Sequence, residues 1–136
     1  MNSVDLMEKA TRAVASARLL LAAGDVDGAC NRAYYGMFDA GRAALMWAHA
    51  PVDASIAKTH SGLISAFGLH LVKTGKVPIE LGKSLNRAAE IRLIADYSGD
   101  EVSLDHARWL VEQAESFVHA MRQTLASATA APAPRL

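Results

Sequence analysis

Residues Asn31–Met46 read NRAYYGMFDAGRAALM, and the pattern of this stretch decides the fold. It contains no proline, and its polar residues recur at helical spacing. Arg32, Tyr35, Asp39, Arg42 and His49 follow one another at steps of three, four, three and seven. A 3.6-residue period sets all five on roughly one stripe of a helix. Ala29, Ala33, Gly36, Met37, Ala40, Ala44 and Ala48 form a second stripe, small and apolar. One helix thus offers a close-packing face. Beside it lies a face with two guanidiniums, a carboxylate, a phenol and an imidazole. The remainder of the chain reads as scaffold around this helix.

The 136 residues suffice for one domain, and a hydrophobic content of 51% supports a real core. Fourteen basic residues balance fourteen acidic ones. A whole-molecule basic field is therefore excluded, and any nucleic-acid site must be a local patch. The single cysteine, Cys30, excludes an intrachain disulfide. With no signal-peptide pattern, a reducing, cytoplasmic setting is expected. The apolar runs are too short to span a bilayer, so no membrane partner is expected. Abundant alanine with few β-branched and aromatic residues favours helix over sheet.

Working outward, Ser3 is the expected N-cap of a first helix over about Val4 to Ala23. Leu6, Ala10, Val14, Ala17, Leu20 and Leu21 form its apolar stripe, and Gly24 stops it. Asp25 or Asp27 caps the second helix, which runs to about His49. So short a link implies an antiparallel hairpin. Ala50–Ile56 reads as a loop. A third helix is expected from Ala57 to Thr74, with Leu63, Ile64, Phe67, Leu71 and Val72 inward. A fourth spans Pro78 to Tyr97 with Leu81, Leu85, Ala88 and Ala89 inward. A turn at Ser98–Asp100 leads to a fifth helix, capped by Ser103 and running to about Leu125. Ala107, Leu110, Ala114, Phe117, Val118 and Met121 line it. No segment alternates with period two. The expectation is an all-α, up-and-down bundle of about five helices over residues 1–125. A disordered tail over 126–136 follows, with small residues and two prolines.

Three groups carry chemistry. Arg32, Tyr35 and Asp39 suit a phosphate, because arginine offers a planar fork to phosphate oxygens; a solvated face or a helix–helix salt bridge is the alternative. Arg92 and Asp96, in IRLIADY, are spaced for an ion pair that serves packing or function. Lys58 and His60, in KTHSGL, stand at a helix start, where free N–H groups attract anions. The alternative there is an ordinary cap with an exposed histidine. His70, His106 and His119 share no helical face with a second good ligand, so no metal site is expected. Cys30 reads as a small core residue.

In their order, NRAYYGMFDAGRAAL, KTHSGLISAFGLHLVKTGKVP, RLIADY and the long closing helix resemble the HEPN domain (higher eukaryotes and prokaryotes nucleotide-binding). The resemblance runs from about Val4 to Met121, and the nearest branch is the small, single-domain prokaryotic one. It implies a helical bundle that commonly forms homodimers. It further implies a metal-independent endoribonuclease without cofactor, often a toxin whose antitoxin is a minimal nucleotidyltransferase. The nuclease signature of that family is an arginine followed, after four to six residues, by a histidine. Here Asp39 follows Arg32 with six residues between, where the branch often carries histidine, and Arg92 is followed by Asp96 and Tyr97. The one literal match, Arg42 with His49, lies outside RAYYGMF. The implied catalytic set is Arg32, Asp39 and His60. Tyr35, Arg42, Lys58, Arg92, Asp96 and Tyr97 would surround the RNA or nucleotide. Attack by the 2′-hydroxyl needs a base and an acid. Asp39, ionised near neutral pH, suits only the first role. His60, from the third helix or a second subunit, would supply the imidazole. A non-catalytic module that binds nucleotide, RNA or a nucleotidyltransferase is the second reading. A bundle whose polar stripe is only a dimer seam is the third.

Overall fold

The computed structural model describes residues 1–97 and 102–129; the side chains of residues 96, 97 and 127–129 are left aside. The elements are α1 (Ser3–Ala22), α2 (Val26–Trp47), α3 (Ala54–Ala57), α4 (His60–Phe67), a π-helical turn (Gly68–Val72), α5 (Ile79–Tyr97) and α6 (Leu104–Thr129). The architecture is all-α, with no strand among the described residues.

Helix α2 is the axis of the bundle and packs against α1, α4, α5 and α6. Its small residues make this geometrically feasible. A Cβ on Gly36 would lie 2.6 Å from Val14 Cγ2 and 3.3 Å from the Ala10 carbonyl oxygen, so α1 sits against bare backbone. On another side, a Cβ on Gly41 would meet Leu63 Cδ1 at 3.3 Å, which marks the approach of α4. Ala29, Ala33, Met37, Ala40 and Ala44 are all buried, as the small stripe requires. Helix α6 lays Ala107, Leu110, Ala114, Phe117, Val118 and Met121 into the same core. Phe117 meets Phe67 of α4 with ring centroids 5.4 Å apart. Burying one such ring stabilises the fold by roughly 1.5–3 kcal/mol.

The helix ends differ in detail from the sequence reading. Asn2, not Ser3, caps α1: its side chain accepts from the Asp5 N–H while Asp5 accepts from the Asn2 N–H. Asp25, rather than Asp27, caps α2 through the Gly28 N–H. A short helix begins within Ala50–Ile56, the stretch expected as a loop, and the expected third helix begins only at His60 and closes in a wider turn. Asp53 caps α3, and Thr59 then turns extended and accepts from the Gly62 N–H to start α4. Beyond Phe67 the hydrogen bonding widens, and Lys73 N–H reaches the Gly68 carbonyl. Pro78 stands just before α5, and its carbonyl accepts from Leu81 N–H. The closing helix runs to Thr129, four residues into the segment expected as tail; residues 130–136 lie outside the described residues, as does the expected turn at Ser98–Asp100.

His49 does not continue the α2 stripe. The helix ends at Trp47, and His49 lies beyond its cap at φ 52°, exposed. His49 N–H bonds the Met46 carbonyl and Ala50 N–H bonds the Leu45 carbonyl, the double closure that favours glycine. Gly24 takes the equivalent place after α1, at φ 85°. His49→Gly is therefore expected to stabilise the chain by about 0.5–1 kcal/mol, the relief of left-handed strain less the added freedom of the unfolded chain. A lower urea midpoint for this variant would contradict the account.

Candidate phosphate-binding site

The outward face of α2 and the beginnings and flanks of two other helices build the site. Tyr34 and Tyr35 are neighbours in sequence and therefore point about 100° apart. Tyr34 is fully buried, whereas Tyr35 is half-buried. Thr59 caps α4, which makes His60 the first residue of that helix and sets it against α2. The His60 ring lies among Tyr34, Tyr35 and Phe38, with centroid distances of 5.5, 6.0 and 5.4 Å. The Tyr34 hydroxyl is 2.8 Å from His60 Nδ1. Burial pushes the Tyr34 phenol up to about 12, against the opposing pull of Arg92, so it remains protonated at neutral pH.

Two guanidiniums complete the group. Arg92 of α5 is buried, with its Cζ 5.4 Å from the Tyr34 ring centroid and 5.7 Å from that of Tyr35. Arg32 of α2 is half-buried, with its Cζ 5.6 Å from the Tyr35 ring. Its Nε also donates to Asn31 Oδ1 at 3.4 Å. A ring's negative face attracts a cation, by roughly 0.5–1 kcal/mol in exposed settings and about 2 when desolvated. Tyr35 is thus the common neighbour of Arg32, Arg92 and His60.

Asp39 sits apart from this group. It is buried, and its ion pair is with Arg42, at 3.9 Å. Burial pushes its carboxyl above the ordinary carboxylate range, against the nearby charges of Lys9, Arg42 and Arg32. A folded-state value above the unfolded one means that ionised Asp39 costs stability at neutral pH. That cost fades as the pH falls through the raised value. Asp39→Asn is accordingly expected to raise the urea midpoint at pH 7. The advantage should shrink as the pH approaches the ordinary carboxylate value of about 3.9. A variant less stable than the parent at pH 7 would show that the three cations outweigh burial.

Lys58 caps the end of α3, exposed. With Arg42 it lines a cavity of about 300 Å³ whose other walls include Leu45, Met46, Val52 and Ala57. A larger groove, about 460 Å³, runs between the start of α1 and the end of α6. Met7, Thr11, Arg12 and Arg122 line it, and none of the residues expected in a site does. Helix α5 carries Asp96 and Tyr97 as its last residues, and their side chains lie outside the described residues. Cys30 is a core residue, its thiol pushed up to about 11 by burial and then by Asp27. Among the described residues no three His, Cys, Asp or Glu side chains group to hold a metal ion.

The structure therefore unites Arg32, Tyr35, His60 and Arg92, and places Arg42 and Lys58 together at a second spot. Sequence reasoning missed Tyr34, Phe38 and Lys9. Tyr34, Phe38, Gly41 and Leu45 share one helical face, which was the available signal that a partner element covers both rings.

Relatives of known sequence align over nearly the whole chain. A UPF0332 protein of Gloeobacter violaceus is 36% identical over 124 residues, 90% of this chain and 94% of the relative. A UPF0332 protein of Thermotoga maritima is 36% identical over 120 residues, 86% of each chain. A Methanocaldococcus jannaschii protein named "Putative toxin MJ0605" is 28% identical over 120 residues, 88% of this chain and 86% of the relative. The HEPN domain model matches residues 3–124, from the first turn of α1 into the last turns of α6. That span takes in both tyrosines, His60 and Arg92, and by it the chain belongs to the HEPN domain family.

Proposed function

We propose that this chain binds RNA across the face of Arg32, Tyr35, His60 and Arg92 and cuts it without a metal ion, as the toxin of a toxin–antitoxin pair. The observation that carries the reading is the Tyr35 ring, which holds two guanidiniums and an imidazole in one place. A phosphodiester suits such a group. Guanidinium forks pair with two phosphate oxygens, and they stabilise the charge that grows on a pentavalent phosphorus. Aromatic rings add a surface on which unpaired bases stack.

The toxin role is supported by the name of the Methanocaldococcus relative. In this reading Arg32 and Arg92 supply charge, His60 supplies the imidazole, and Asp39 sits behind them as counter-charge. Arg42 and Lys58 extend the track for the strand, and Asp96 and Tyr97, about one turn past Arg92, belong to the same site. The protein acts as a homodimer in the cytoplasm, a second copy adding the same groups, with a minimal nucleotidyltransferase as antitoxin. No helix among the described residues is long and apolar enough to cross a membrane.

The test is incubation of the purified chain with labelled single-stranded RNA in excess chelator. Products ending in a 2′,3′-cyclic phosphate are expected: the 2′-hydroxyl gives its proton to solvent water and its oxygen attacks phosphorus, while the bond to the 5′-oxygen breaks and that oxygen takes a proton from water. A second reading, a binding module without cleavage, is favoured by the burial of Asp39 where an exposed imidazole would stand. Intact RNA, together with co-purification of a nucleotidyltransferase, would replace the first reading with the second.

A further inference from the structure

We propose that Tyr34 is a positioning residue that holds His60 in the Nε2–H tautomer, so that His60 meets a phosphate oxygen as a hydrogen-bond donor and shuttles no proton. The inference rests on the reading that His60 belongs to the phosphate site. Its origin is the hydrogen-bond accounting of one buried hydroxyl. Tyr34 has no exposed surface, and among the described residues the partner of its hydroxyl is His60 Nδ1, at 2.8 Å.

A phenol has one hydrogen to give, and a buried O–H left without an acceptor is costly. Donation to Nδ1 satisfies it and requires that Nδ1 carry no hydrogen. Neutral His60 then bears its proton on Nε2. For Nε2 to act as a base, the ring proton would have to sit on Nδ1. That would turn the Tyr34 hydrogen away from His60 Nδ1, its acceptor among the described residues, and a buried O–H without an acceptor is costly. Loss of the Nε2 proton from the charged ring leads to the same disfavoured tautomer. The raised phenol value keeps Tyr34 a donor throughout the neutral range. Phe38 and Tyr35 pack on the same imidazole and restrict a ring flip that would exchange the two nitrogens. Arg92, over the Tyr34 ring, holds the phenol itself in place.

The experiment is long-range proton–nitrogen NMR of the full chain with labelled histidine imidazoles, above the histidine titration. The His60 signals are assigned by their loss in His60→Gln. The expected pattern is a bare Nδ1 and a protonated Nε2 in the parent protein. In Tyr34→Phe it should move toward the average of both tautomers. A protonated Nδ1 in the parent, or an unchanged pattern in Tyr34→Phe, overturns the proposal. The parent spectrum decides even if the variant folds poorly. None of this needs RNA cleavage, so failure here is separate from failure of the nuclease reading.

Discussion

Arg32→Ala is expected to slow single-turnover cutting of RNA by about 10³-fold while leaving the fold intact. The size follows from what the guanidinium does. In the proposed reaction it would meet the phosphate at the moment when negative charge is greatest, where a preoriented cation has its largest effect. The fold should survive because Arg32 is half-buried and holds little structure: one ring face at 5.6 Å and one long hydrogen bond to Asn31. Loss of such contacts costs about 1 kcal/mol. Arg32→Lys should fall between the two, since an ammonium keeps the charge and loses the fork. Rates from a labelled single strand in chelator, with circular dichroism to confirm folding, check both halves. A folded Arg32→Ala that cuts as fast as the parent would remove Arg32 from the site.

Gly36→Leu is expected to have the largest effect on stability, about 3 kcal/mol, lowering Tm by about 10 °C. Already a Cβ would stand 2.6 Å from Val14 Cγ2, inside any normal contact, and the Ala10 carbonyl blocks the other way out. Val14 is itself buried and branched at Cβ, so it has few rotamers to retreat into. The leucine branch must push α1 off α2. Gly36→Ala should also destabilise, because its Cβ meets the same clash, but by less, since alanine has no further atoms to place and gains about 1 kcal/mol in helix propensity. Gly68→Ala serves as control: its Cβ would meet nothing within 4 Å. Equal melting of Gly36→Leu and the parent would mean that α1 is free to shift.

The main helix and its two stripes were legible because periodicity and residue size act locally. Ala29, Ala33 and Ala40 could only be core, and they are. The same logic could not see what crosses from elsewhere. Asp39 lies on the polar stripe, yet it is buried, with Arg42 on its own helix and Lys9 of α1 close by. His60 was legible as a helix start, but its union with Tyr34 and Tyr35 depends on the angle at which α4 arrives. The short helix before Lys58–Thr59 was not legible, because Pro51 and Asp53 mark Ala50–Ile56 as a loop and only four residues, Ala54–Ala57, turn helical there. The cap that starts α4, Thr59 to Gly62, was visible in THSG only as one alternative. The wide turn after Phe67 leaves no mark in residue spacing.

Two cations of unequal burial share the Tyr35 ring. Arg92 is buried over two aromatic faces, whereas Arg32 is half-buried beside one. If the proposed site takes a phosphate, the first would meet it already aimed and the second would have room to turn toward it. One electrostatic task would then be divided between a fixed jaw and a moving one.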